Sequence, residues 1–176
     1  MAGLSYKDIA YDGVLGQTAF MADRSKDSPG VMACPPLVFL GALGLGLLLH
    51  WLVPVQPLPP AFSRVPGVVL CLASGVAGIW GRVIMGRAGT SMRPDRPATA
   101  LVTGGPFRFS RNPLYLSLTA LYLGITLLFD ALWPLVTLLP MLAVVHWGII
   151  LREERYLEAK FGDEYRAYKA RVRRWI

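Results

Sequence analysis

The chain has 176 residues, of which 54% are hydrophobic and only 16% charged, with a formal net charge of +7. A mean hydropathy of +0.46 and charge-free stretches at 28–63, 65–81, 112–129 and 131–151 exclude an ordinary water-soluble domain, which needs more polar surface to stay in solution. The two cysteines, Cys34 and Cys71, have neither metal-binding nor redox spacing, so no metal site is expected.

In chain order, residues 1–34 are polar, weakly patterned and rich in Gly, Ser and Asp, which predicts a flexible tail. Met21 opens Met-Ala-Asp-Arg-Ser-Lys-Asp, a typical protein start, so residues 1–20 are expected to be a dispensable extension. Val31-Met32-Ala33-Cys34 has the look of a lipoprotein cleavage box. Its hydrophobic run follows the cysteine instead of preceding it, which argues against a processed leader.

About 20 apolar residues at ~1.5 Å per residue cross a hydrocarbon core ~30 Å thick. The four charge-free stretches therefore predict spanning helices near 37–53, 65–85, 113–129 and 132–151. The first and third are short, which suits little tilt or a locally thinned bilayer. Gly41, Gly44 and Gly46 in the first helix read as small residues that let helices approach closely. Ala73, Ala77 and Gly81 in the second, with Ser74 and Gly78 beside them, read the same way. No strand precedes them, so a nucleotide-binding glycine loop is not indicated. Residues 54–60 are proline-dense and predict a stiff, extended connection.

Only Asp130-Ala131 separate the third and fourth spans, so these must be antiparallel neighbours. Pro113 and Leu151 then lie close together, and Arg111 comes beside Glu153 and Glu154. The last span continues without a breaker through Phe161. Gly162 is placed to end it as a left-handed cap and Asp163 to cap a final amphipathic helix. On that helix Tyr165, Tyr168, Val172 and Trp175 share one face, suited to lie on a leaflet or over the bundle mouth. With four crossings, every lysine and arginine except Arg64 and Arg82 falls on one side. The positive-inside rule then places both termini in the cytoplasm and accounts for the basicity without nucleic acid.

The chemistry-bearing residues cluster at that cytoplasmic face. Arg111 at a membrane edge either grips a carboxylate or phosphate bidentately or merely snorkels. Tyr115 is either an interfacial anchor or a hydroxyl donor. Glu153 and Glu154 are costly beside hydrocarbon unless paired or used. At about 100° apart on a helix, one can face the mouth while the other pairs with an arginine; the bland alternative is a solvated ion-pair face with Arg152 and Arg155. His146, seven residues before Glu153 and nearly on its face, is either functional or a hydrogen-bonded structural residue.

Gly105-Pro106-Phe107-Arg108-Phe109-Ser110-Arg111-Asn112-Pro113-Leu114-Tyr115, followed by Glu153-Glu154-Arg155-Tyr156-Leu157 and Phe161-Gly162-Asp163-Glu164-Tyr165, resembles the isoprenylcysteine carboxyl methyltransferase and phospholipid methyltransferase superfamily over roughly residues 100–175. The resemblance implies an integral-membrane enzyme using S-adenosylmethionine, with the cofactor near Gly105, Phe107, Arg108, Arg111, Asn112, Tyr115, Glu153 and Glu154. Arg111 and Glu154 are its catalytic candidates. Where the family carries His, this chain has Asn112, which cannot titrate near neutrality. A catalytic base there is excluded, pointing to a broader bacterial-type relative in an inner membrane.

The expected fold is thus an all-α membrane bundle of about four spans with a cytoplasmic amphipathic helix. Residues 35–176 form the methyltransferase domain and about 100–176 its cofactor-binding part. The expected partners are the bilayer and an amphiphilic or lipid substrate. Two alternatives are an NADPH-dependent membrane reductase of the sterol type and a non-catalytic membrane scaffold.

Overall fold

The computed structural model describes residues 30, 34–57, 59–90 and 97–176. Apart from residues 30 and 34, the predicted tail and the extension within it lie outside the described residues. The described chain is helical: α1 (Pro35–Leu52), α2 (Pro60–Arg87), a 3-10 turn (Gly105–Arg108), α3 (Pro113–Leu128) and α4 (Leu132–Ala143). A π-helical segment, Val144–Ile150, then joins α4 to α5 (Leu151–Arg171). Among the described residues three helical stretches are long and apolar enough to cross a membrane, and Pro113–Leu128 is a shorter apolar helix. Helices occupy all four segments expected to span, and the chain is an integral membrane protein.

The helices pack mainly in two pairs, α1 on α4 and α2 on α3. Apolar side chains gain little by leaving lipid for protein, so close backbone approach has to supply the contact energy. A Cβ added at Gly46 would lie 2.6 Å from Pro134 Cα on α4. One at Gly124 would lie 2.7 Å from Cys71 Sγ and 3.0 Å from the Gly67 carbonyl oxygen, and one at Gly81 would lie 2.8 Å from Leu114 Cδ2. Gly46 and Gly81 are therefore packing residues as expected. Gly41 and Gly44 face outward with nothing near them, and the tightest α2–α3 contact uses Gly67 and Gly124 instead.

Hydrogen bonds join the pairs. Tyr122 Oη donates to the Pro134 carbonyl at 2.9 Å and lies 2.7 Å from Thr137 Oγ1, which is 3.1 Å from the Ala42 carbonyl. α3, α4 and α1 are thus tied at one level inside the apolar core, where an unpaired polar group would be costly.

Two features depart from straightforward helical spacing. The π segment follows Pro140, which lacks the N–H that an α-helix interior needs. Its wider turns shift the register, so His146 does not share the face of Glu153. His146 stacks instead on Trp175, with ring centroids 6.3 Å apart. Gly162 has φ +53° but ψ −122°, a sharp bend of the type II′ kind and not a left-handed cap. The second half of α5 folds back over the 3-10 turn and buries Tyr165 and Tyr168. The helix stops at Arg171 with Val172 extended, so Val172 and Trp175 belong to a terminal strap and not to the helical face.

Gly124→Ala should lower stability by about 1–3 kcal/mol through overpacking against α2, whereas Gly41→Ala should not. Thermal unfolding of the two variants in detergent checks this, and equal midpoints would contradict the packing assignment.

Candidate functional site

At the end of the bundle where α3 begins and α5 leaves it, a cavity of about 860 Å³ opens. Its apolar part runs along α2 past Gly75, Gly78 and Ile79 to Leu118 and Leu121 of α3, and the start of α1 borders it at Pro36. Its polar part holds Arg111, Tyr115, Glu153, Glu154 and Tyr165. Arg82 of α2 also lines it, and among the described residues no carboxylate pairs with this arginine.

Local sequence explains how the polar groups arrive there. Gly105 adopts φ +60°, and a Cβ on it would come within 2.9 Å of Ile84 Cγ1, so only glycine lets the turn press against α2. This turn buries Phe107 in the cavity wall, while Arg108 is exposed and outside it. Phe107 is held further by its carbonyl, which accepts a hydrogen bond from Tyr168 Oη at 2.7 Å. Pro113 then starts α3 at a position where its missing N–H costs nothing.

The neighbouring carboxylates have separate environments, as expected from their angular offset. Glu153 Oε1 accepts a hydrogen bond from Tyr115 Oη at 2.7 Å. Burial pushes its carboxyl from 4.5 up to about 7, with the tyrosine bond opposing that rise. Glu154 is buried between two arginines. Arg174 grips it bidentately, Nε to Oε1 at 2.9 Å and Nη2 to Oε2 at 2.8 Å. Arg111 Nη1 stands 3.2 Å from the same Oε1, and its side chain is only 9% exposed. Yet Arg111 Nε and Nη1 make no hydrogen bond. Tyr165 beside them is pushed up to about 12, mainly by burial and then by Glu154, with Arg111 opposing.

Of the sequence-derived candidates, Phe107, Arg111, Asn112, Tyr115, Glu153 and Glu154 line the cavity. Gly105 and Arg108 do not; the first is a packing residue of the turn and the second faces outward. Asn112 donates its side-chain N–H to the Arg174 carbonyl at 3.0 Å, which suits an amide and needs no titrating ring. Arg174 is the residue that sequence reasoning missed. It lies in a run of basic residues already explained by topology, and nothing local distinguishes it.

The assembly of Arg111, Glu154 and Arg174 carries one positive charge in excess. Two buried guanidinium donors are unspent beside a cavity that also has apolar walls. Such a site can take the anionic end of a small molecule and adjoin it to an amphiphile.

An uncharacterized protein of Haemophilus influenzae is 44% identical to the chain over 63 residues, which is 36% of this chain and 100% of that protein. The model of the family described as phospholipid methyltransferase matches residues 62–164, from the start of α2 through Arg111, Glu153 and Glu154 into the bend of α5. With that match spanning more than half its length, the chain belongs to the phospholipid methyltransferase family.

Proposed function

We propose that the chain is an S-adenosylmethionine-dependent methyltransferase acting on a lipid-like or membrane-partitioned substrate, with both termini in the cytoplasm of a bacterial cell. The observation that carries this reading is Arg111: a buried guanidinium whose Nε and Nη1 make no hydrogen bond, beside a cavity inside a membrane bundle. Desolvated donors of this kind are costly unless a ligand completes them.

S-adenosylmethionine, when bound, supplies an electrophilic methyl group on a sulfonium centre. Its donor and acceptor groups suit the residues present. Arg111 would hold the carboxylate, Glu153 the amino group or the ribose hydroxyls, and Phe107 would border the adenosyl part. Tyr115 fixes Glu153 by its hydrogen bond, leaving Oε2 of the carboxyl toward the ligand as the remaining acceptor. Glu154, a catalytic candidate by resemblance, acts on this reading as the charge partner that holds Arg111. Tyr165 and Tyr168 of the folded-back helix roof the site, where positioning and exclusion of water supply much of the rate.

An acceptor arriving from the bilayer suits the same geometry. α1 packs on α4 and α2 on α3, and the apolar part of the cavity runs along α2 and α3 with the start of α1 at its edge. Arg82 on that wall offers a cation to an acidic headgroup, with Gly75 leaving room for a chain deeper in.

Calorimetry in detergent should show S-adenosylmethionine binding by the native protein, weakened about 10- to 100-fold in Arg111→Ala and in Glu153→Ala. Equal binding by all three proteins, or none by the native one, would refute the assignment. The pH profile gives a second check. Glu153 holds its proton up to about pH 7 in the folded chain against 4.5 ordinarily, so stability present at low pH falls as pH rises through that window. The charged carboxylate is also the better ligand acceptor, so affinity should rise as pH passes through about 7. In Glu153→Gln both dependences should flatten; retention of the native profiles would assign the titration to another group.

A further inference from the structure

The terminal strap, residues 172–176, is fastened to the segment before α3 by three hydrogen bonds. The Arg111 N–H donates to the Arg173 carbonyl at 3.0 Å, Ser110 Oγ to the Arg174 carbonyl at 3.1 Å, and Asn112 Nδ2 to that same carbonyl at 3.0 Å. Trp175 stacks on His146 just beyond. These contacts fix where the Arg174 side chain starts, and it spends two parallel hydrogen bonds on Glu154, one to each carboxylate oxygen.

This has an electrostatic consequence for Arg111. A buried arginine facing a single buried glutamate would close on it as a neutral bidentate pair, spending two of its five N–H donors on that carboxylate and turning them away from a ligand. Here both Glu154 oxygens already accept from Arg174. Arg111 stays 3.2 Å away without a hydrogen bond from Nη1 or Nε, and the cluster keeps one positive charge.

On the reading that the cavity holds S-adenosylmethionine, we propose that Arg174 is a positioning residue: by saturating Glu154 it keeps the Arg111 guanidinium open for the carboxylate of the cofactor. Arg174 touches no reacting atom. It sets the charge and the donor count of the residue that does the binding. The backbone bonds of the strap, with Asn112 among them, keep Arg174 in register with Glu154.

Two nucleosides separate this role from general support of the fold. S-adenosylhomocysteine carries the α-carboxylate, whereas 5′-methylthioadenosine lacks both that group and the α-amine. Titration calorimetry on full-length protein in detergent should find that Arg174→Gln weakens S-adenosylhomocysteine about 10- to 100-fold, the scale of a lost charge-assisted contact. Binding of 5′-methylthioadenosine should be unchanged. Arg174→Lys, which keeps the charge but cannot meet both Glu154 oxygens, should also weaken S-adenosylhomocysteine, though less than Arg174→Gln. Native-like binding of S-adenosylhomocysteine by Arg174→Gln, or equal loss of both nucleosides, would each overturn the proposal while leaving the cofactor reading standing. If the native protein binds neither nucleoside, the cofactor reading falls and this inference falls with it.

Discussion

Glu154 shared between two arginines is the interaction on which the rest of the site depends. Three charges are brought together at the mouth of a membrane bundle, where removing one ion from water is expensive. The cost is tolerable because Arg174 meets both carboxylate oxygens and lies partly in solvent, with its side chain 30% exposed. The residual cost falls on Arg111, whose buried Nε and Nη1 make no hydrogen bond although Nη1 stands 3.2 Å from Glu154 Oε1. A ligand that paired with these donors would offset that cost, as is common for binding sites.

The membrane imposes the architecture around this cluster. Lipid leaves little hydrophobic drive between helices, so the pairs rely on glycine-mediated contact at Gly46, Gly67, Gly81 and Gly124, and on the Tyr122–Thr137 hydrogen-bond group. Neither α1 nor α2 packs extensively on the other, which leaves room for a cavity with apolar walls. The folded-back half of α5 then closes the polar end. A single cavity therefore meets both a charged mouth and a hydrocarbon-facing side, the combination a membrane methyltransferase family would need for a soluble cofactor and an insoluble acceptor.

Much of this was readable from the residues because the constraints were strong. Charge-free runs of sufficient length have few alternatives to spanning helices. The short Asp130-Ala131 link permits only an antiparallel hairpin, so Arg111 had to meet Glu153 and Glu154 although they are about forty residues apart in sequence. What escaped prediction depends on local geometry that spacing does not encode. The π segment after Pro140 turns His146 toward Trp175, and the ψ of Gly162 makes a bend where a cap was expected. Gly105 and Arg108 sit in the right motif but leave the cavity, because the turn presses its backbone on α2 and aims the arginine outward. Arg174 is one basic residue among several near the terminus, and only the folded strap singles it out.

The central claim is that Arg111, kept open by its neighbours, receives the anionic end of the cofactor. An experimental structure of the protein with S-adenosylhomocysteine tests it most directly. The account predicts the ligand carboxylate within hydrogen-bonding distance of Arg111 Nε and Nη1, with Arg174 still bidentate on Glu154. A bound nucleoside whose carboxylate lies away from Arg111, or Arg174 released from Glu154 with Arg111 gripping both its oxygens, would contradict it.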